Sequence, residues 1–224
     1  MVYGLFGGLL SFLCDNSGSP NMNLLRPYLL ILCLAASACL PARAWVLAVT
    51  PGIKAVYLAV GNLSANADNV TVNRVSLDLP ATAIANGTPQ VMNTINSTSS
   101  TQVASPYDNY SLCTPTSGQV YVGGFYRLPA TNSTTAVLQV TTPGSLTSGA
   151  LNIPFSQISW ISTAAGNAAA DIPPGTFLAG GTLFLRNIAA NSFVENCHTF
   201  LYANTQPVGA GVYDGRATYT LTAP

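Results

Sequence analysis

Beyond residue 44 the apolar positions of this chain recur mostly at every second residue, and clusters of Gly, Pro, Asn and Ser separate the runs. Side chains of a strand alternate between its two faces, so this spacing predicts strands. No stretch keeps the i, i+3, i+4, i+7 spacing of an amphipathic helix over three turns. The cleanest pattern is the last: Tyr213, Gly215, Ala217, Tyr219 and Leu221 share one face, while Asp214, Arg216, Thr218 and Thr220 share the other. Such alternation marks one dry face and one wet face. Further strands are predicted at Trp45–Val49, Ile53–Val60, Gln119–Arg127, Thr134–Thr141, Ile153–Ser162, Gly181–Ile188 and Phe193–Tyr202. Val75, Leu77 and Leu79 form another, but Val70 and Val72 have the opposite parity, so a β-bulge is expected at Asn73-Arg74.

That makes about nine short strands, punctuated by turns such as Thr142-Pro143-Gly144 and Pro173-Pro174-Gly175. The pattern predicts an all-β fold: an antiparallel two-sheet β-sandwich, immunoglobulin-like, with Greek-key connections, formed by the single domain 45–224. The Asn-, Thr- and Ser-rich stretch Ala81–Tyr110 reads as long surface loops with room for an edge strand. No repeat of 20 to 50 residues is visible, which argues against propellers and solenoids.

The first 44 residues follow a different rule. Within Met22–Ala44, Arg26 supplies a positive start, Tyr28 to Leu40 an apolar run, Pro41 a break, and Ala42-Arg43-Ala44 a small-x-small cleavage site. The apolar run is about a dozen residues, short of the roughly 20 that a spanning helix requires, so a cleaved signal peptide is expected and no stable membrane span in the mature protein. Residues 1–21 fit neither a signal nor a domain, and translation is expected to start at Met22. Cys39 follows Ala36-Ser37-Ala38, a lipoprotein processing box that lacks its Leu, so a lipid anchor is the lesser reading.

Export changes how the cysteines read. Only Cys113 and Cys197 lie beyond Ala44, and in an oxidising compartment two thiols are expected to pair. Closing a loop of about 84 residues contributes on the order of 4.5 kcal/mol in the chain-entropy model.

Charge narrows the function further. Only 6% of residues are charged and the formal net charge is zero, against roughly a quarter charged in ordinary soluble domains. Lys54, Arg74, Arg127, Arg186 and Arg216 lie far apart in sequence, so nucleic acid is excluded as a partner. Neutral hydrogen-bonding side chains are left to keep the surface wet.

The residues that could carry chemistry are few. His198 is the only histidine. On a strand from Phe193 to Tyr202 it points away from Glu195, which therefore cannot orient it as a catalytic base. Asp68, Asp78, Asp108, Asp171, Glu195 and Asp214 are scattered singly, without the local pairing of a glycosidase or a calcium loop. No catalytic residue, metal ligand or cofactor is expected. Tyr107, Tyr110, Tyr121, Tyr126 and Trp160 could build an aromatic platform for sugar rings, although core packing is the stronger expectation for most of them. The sequons at Asn62, Asn69, Asn86, Asn96, Asn109 and Asn132 are expected by chance in a chain so rich in Asn, Ser and Thr.

The run Gly209-Ala210-Gly211-Val212-Tyr213-Asp214-Gly215-Arg216-Ala217-Thr218-Tyr219-Thr220-Leu221 resembles the closing strand of bacterial fimbrial subunits and of spore-coat-U-like secreted domains. The resemblance implies an incomplete immunoglobulin-like sandwich whose missing strand comes first from a periplasmic chaperone and then from the next subunit. Tyr213, Gly215, Ala217, Tyr219 and Leu221 would then belong to the interaction strand. The expected function is that of an exported structural or adhesive protein of the periplasm, cell surface or extracellular space, a non-enzymatic fimbria-like subunit that self-associates by β-strand addition. The alternative is a stand-alone secreted module binding carbohydrate or another surface ligand through the loops of Ala81–Tyr110. N-terminal sequencing of the exported protein is expected to begin at Trp45, and a precursor peptide upstream of Met22 would overturn the assigned start.

Overall fold

The computed structural model describes residues 49–61, 74–94, 103–114, 118–165 and 169–224. The leader, the residues upstream of it, nearly all of Trp45–Val49 and the Val70/Val72 side of the expected bulge lie outside these residues.

The chain is all-β and its sheets are antiparallel. The first sheet has six strands: β1 (Ala55–Val60), β3 (Gln90–Val91), β5 (Gln119–Arg127), β9 (Ile158–Thr163), β10 (Gly175–Thr176) and β12 (Ser192–Tyr202). They run in the order β1-β5-β12-β9-β10, with β3 paired to the end of β12. The second sheet has three strands, with β6 (Thr135–Thr142) between β11 (Gly181–Ala189) and β13 (Thr218–Thr222). Two small ribbons complete the set, β2 (Val75–Ser76) with β4 (Asn93–Thr94), and β7 (Ser145–Ser148) with β8 (Leu151–Pro154).

The main core draws on both larger sheets. Val120, Val122 and Tyr126 of β5 and Val194 and Phe200 of β12 meet Ala136, Leu138 and Val140 of β6 with Leu185 and Ile188 of β11. Alternation explains the choice: β6 buries Ala136, Leu138, Val140 and Thr142 and turns Thr135, Val137, Gln139 and Thr141 the other way. Each fully buried branched side chain contributes about 1.5–3 kcal/mol of transfer free energy.

β5 and β12 are covered on their second face as well. There Ala59, Cys113, Tyr121 and Cys197 form a smaller cluster. The Tyr121 phenol folds over Gly123, where a Cβ would collide with it. Cys113 and Cys197 are joined, with Cα atoms 5.4 Å apart, which ties residues 103–114 across this face.

Most predicted strands are present within a residue or two, and the departures have local causes. The predicted strand Ile153–Ser162 is two strands, β8 and β9, separated by a 3-10 turn over Phe155–Gln157. Pro154 caps that turn and has no N–H with which to continue a ladder. The predicted last strand is shortened, with β13 starting at Thr218 and Asp214 making an isolated bridge to Thr147. Pairing sums show the slip: Thr218↔Thr141 lies on the β6 register, whereas Asp214↔Thr147 lies two residues off it. Between them the facing segment passes Pro143, which cannot donate, and Gly144, whose carbonyl accepts from Phe155 N–H at 3.0 Å. Val75–Leu79 keeps only Val75–Ser76 as strand. A bulge that the parity of Leu183, Leu185 and Ile188 should have revealed lies in β11, where the register shifts between Phe184 and Arg186.

Ala81–Tyr110 contains the short strands β3 and β4 and a 3-10 turn at Ala81–Ala83. Its near end is clamped by Asn204, which is fully buried and takes a left-handed φ of 55°. The Asn204 Oδ1 accepts from Ala85 N–H at 2.9 Å, and its Nδ2 donates to the Ala83 carbonyl at 2.7 Å and to Asn86 Oδ1 at 2.8 Å. Asn204→Ala strands those partners and places a Cβ residue without a side-chain bond at positive φ. The expected loss is about 2–4 kcal/mol in urea denaturation, against a loss smaller by about 1 kcal/mol for Asn204→Gly, which relieves the backbone but not the hydrogen bonds.

Candidate functional site: an opening in the core beside the last strand

A cavity of about 690 Å³ opens into the main core and is lined by residues of both larger sheets. Its floor is made of core side chains: Val120 of β5, Phe200 of β12, Ile158 of β9, and Phe155 and Phe177. Leu58 and Val60 of β1 form one wall, and Ala217, Thr218 and Tyr219 form the other. Protein interiors are packed like organic crystals, so an opening of this size beside buried aromatic rings is a place for an occupant.

The walls are the end strands of the two sheets. Among the described residues β1 ends the six-stranded sheet and β13 ends the three-stranded one. Their Cα atoms come within 8 Å of each other. At one end the gap is closed: Leu221 packs over Gly124, with its Cδ2 3.3 Å from where a Cβ would stand, and Lys54 Nζ donates to the main-chain oxygen of Pro224. At the other end it is open, and the mouth carries Arg74, Asp214 and Arg216. Arg74 and Asp214 are 3.6 Å apart with side chains 61% and 72% exposed, a pair worth at most about 1 kcal/mol.

Four of the five residues of the predicted interaction strand line this cavity: Tyr213, Gly215, Ala217 and Tyr219. Leu221 sits beyond its closed end. Gly215 has no room for a side chain, since a Cβ would lie 2.5 Å from Leu146 Cδ2 and 2.9 Å from Phe155 Cε2. The Tyr213 hydroxyl donates to the Gly209 carbonyl at 2.9 Å, closing the turn before the strand. The wall of β1, the Arg74 side of the mouth and the Phe155–Phe177 pair had no signal in local sequence, because only the sheet order brings them here.

The residues considered for catalysis are separated. His198 points into the main core, its ring stacked on Trp160 at 5.9 Å and tilted against Tyr219 at 6.5 Å. Glu195 occupies the opposite face of β12 and accepts from the Tyr121 hydroxyl at 3.2 Å. Burial raises the Glu195 carboxyl above its usual range, and hydrogen bonds from Ser105 and Tyr121 partly offset this. Burial likewise raises the phenols of Tyr107 and Tyr121.

The aromatic residues go mostly to packing. The Tyr107 ring lies 4.4 Å from Phe193, the Tyr126 hydroxyl meets Thr134 Oγ1 at 2.7 Å, and Trp160 Nε1 donates to the Pro173 carbonyl at 3.0 Å. Tyr110 is exposed. Among the described residues no group of three or more His, Cys, Asp and Glu could hold a metal ion, and no helix is long and apolar enough to cross a membrane.

No protein-family model, curated protein or solved structure matches the chain.

His198 gives this core a pH dependence. Among the described residues neither ring nitrogen has a hydrogen-bond partner, and burial lowers its pKa from 6.5 to about 3. The unfolded chain binds the proton first, so the His198 contribution to stability is whole above pH 6.5 and is lost as pH falls from there toward 3. The slope is about 1.4 kcal/mol per pH unit. His198→Phe keeps the ring stack and removes two unsatisfied nitrogens. The variant is expected to match or exceed the parent by about 1–3 kcal/mol at pH 7.5 and to lose less stability at pH 4.5. Parallel stability curves for the two proteins over this range would refute the assignment.

Proposed function

We propose that this chain is an exported, non-enzymatic structural or adhesive protein of the cell surface, a fimbria-like subunit that associates by β-strand addition. In this reading its two larger sheets face each other as a β-sandwich, and Cys113–Cys197 is oxidised after a signal peptide ending at Ala44 has been removed. The observation that carries it is the pair of end strands, β1 and β13, flanking an opening into the core. A strand laid in that gap bonds to an edge that has no second strand neighbour among the described residues, and drives alternate side chains against Phe155, Phe177 and Phe200. The residues resembling a fimbrial closing strand supply one wall of the same gap.

Strand addition holds subunits by many backbone hydrogen bonds and a dry seam, so it should survive mild detergent. A surface fraction run on a denaturing gel without boiling is expected to show a ladder that collapses to monomer on boiling. Thr220→Lys together with Thr222→Lys places two charges on the wet face of the end strand and is expected to shorten the ladder. A single monomer band in both lanes would remove this reading and favour the stand-alone binding module.

A further inference from the structure

The geometry points to a carboxylate in the added strand, seated at the mouth beside Arg216 and fixing the strand's register. This rests on the strand-addition reading and deepens it.

Extended segments with alternating apolar residues fit such a gap in more than one way. A slip of one residue turns every apolar side chain from the core to water, and a slip of two restores the faces but leaves the segment displaced. Backbone hydrogen bonds do not distinguish registers two residues apart, so a side-chain determinant is needed. The floor of Phe155, Ile158, Phe177 and Phe200 is apolar throughout and offers no charged group to act as that determinant.

The two ends of the gap differ in charge. Beyond residue 44 the chain has five basic side chains, Lys54, Arg74, Arg127, Arg186 and Arg216. Two of them, Arg74 and Arg216, stand at this mouth. Asp214 answers Arg74 at 3.6 Å. Arg216 is exposed and forms no ion pair among the described residues. Among the described residues the mouth therefore carries one cation in excess, in a chain of which only 6% is charged. Charge complementarity at an interface rim contributes more to orientation and register than to affinity, and an acidic residue at the mouth end of the entering strand supplies it.

The experiment uses the refolded domain and short synthetic strands in which Val alternates with Thr, with acetylated and amidated ends. The set ends in Asp, Thr or Lys at one terminus or the other, and binding is measured by calorimetry. One of the two Asp-ended peptides is expected to bind about two- to fivefold more tightly than the Thr-ended ones, and the matching Lys-ended peptide more weakly. In Arg216→Glu the order of Asp and Lys is expected to reverse, an outcome that general destabilisation cannot produce. If all peptides bind alike, the carboxylate inference falls while strand addition stands. If none binds, both fall, and saturable uptake of palmitate by the same protein would then assign the cavity to an acyl chain.

Discussion

β12 lies between β5 and β9 with both of its faces covered, and the way its own polar side chains are placed follows from that burial. A strand covered on both sides has no wet face for its polar residues, so each must be satisfied or neutral. Asn196 does this by accepting from Ile172 N–H at 2.7 Å and donating to the Thr163 carbonyl at 3.3 Å. Glu195 does it through Tyr121. His198 has no hydrogen-bond partner among the described residues, and burial keeps it uncharged at neutral pH. Cys197 is consumed by Cys113, and that bond holds residues 103–114 over the outer face. If this cover were removed, Tyr121, Phe125 and Glu195 would meet water, so the disulfide and the double-sided burial of β12 depend on each other.

The long strands were legible because their residues alone determine them. Gln119–Arg127 and Phe193–Tyr202 pair along most of their lengths, and their branched and aromatic residues suit a pleated surface from either side. What was not legible depended on residues remote in sequence. Nothing within Tyr213–Leu221 says that the ladder breaks between Asp214 and Thr218, because the cause is Pro143 and Gly144 on the facing segment. The division of Ile153–Ser162 was readable in principle, since Pro154 stands inside the run. The same holds for the bulge in β11, where Leu185 and Ile188 cannot both face inward on a regular strand. The separation of Glu195 from His198 followed directly from strand parity, the strongest inference a single sequence allows about a candidate site.

The site was half visible for the same reason. Alternation identifies Tyr213, Gly215, Ala217 and Tyr219 as one face, and they do line a common cavity. It says nothing of the opposite wall, because β1 reaches β13 only through the closure of two sheets whose orders are set elsewhere. Arg216 and Asp214 illustrate the limit: their outward parity reads as ordinary wet-face decoration, yet the break in the ladder brings both to the mouth.

A surface with few charges makes that placement consequential. Where charges of both signs are dense, one additional arginine is lost among its neighbours, since fields between exposed groups fade over about 8 Å at physiological salt. Here the acidic side chain at the mouth among the described residues, Asp214, is already engaged by Arg74. The same scarcity that makes the sheet faces neutral and able to approach other sheets leaves their specificity to a few groups. Backbone edges supply attraction without selectivity and an apolar floor supplies depth without register, so in a strand-added assembly selection falls to the rim.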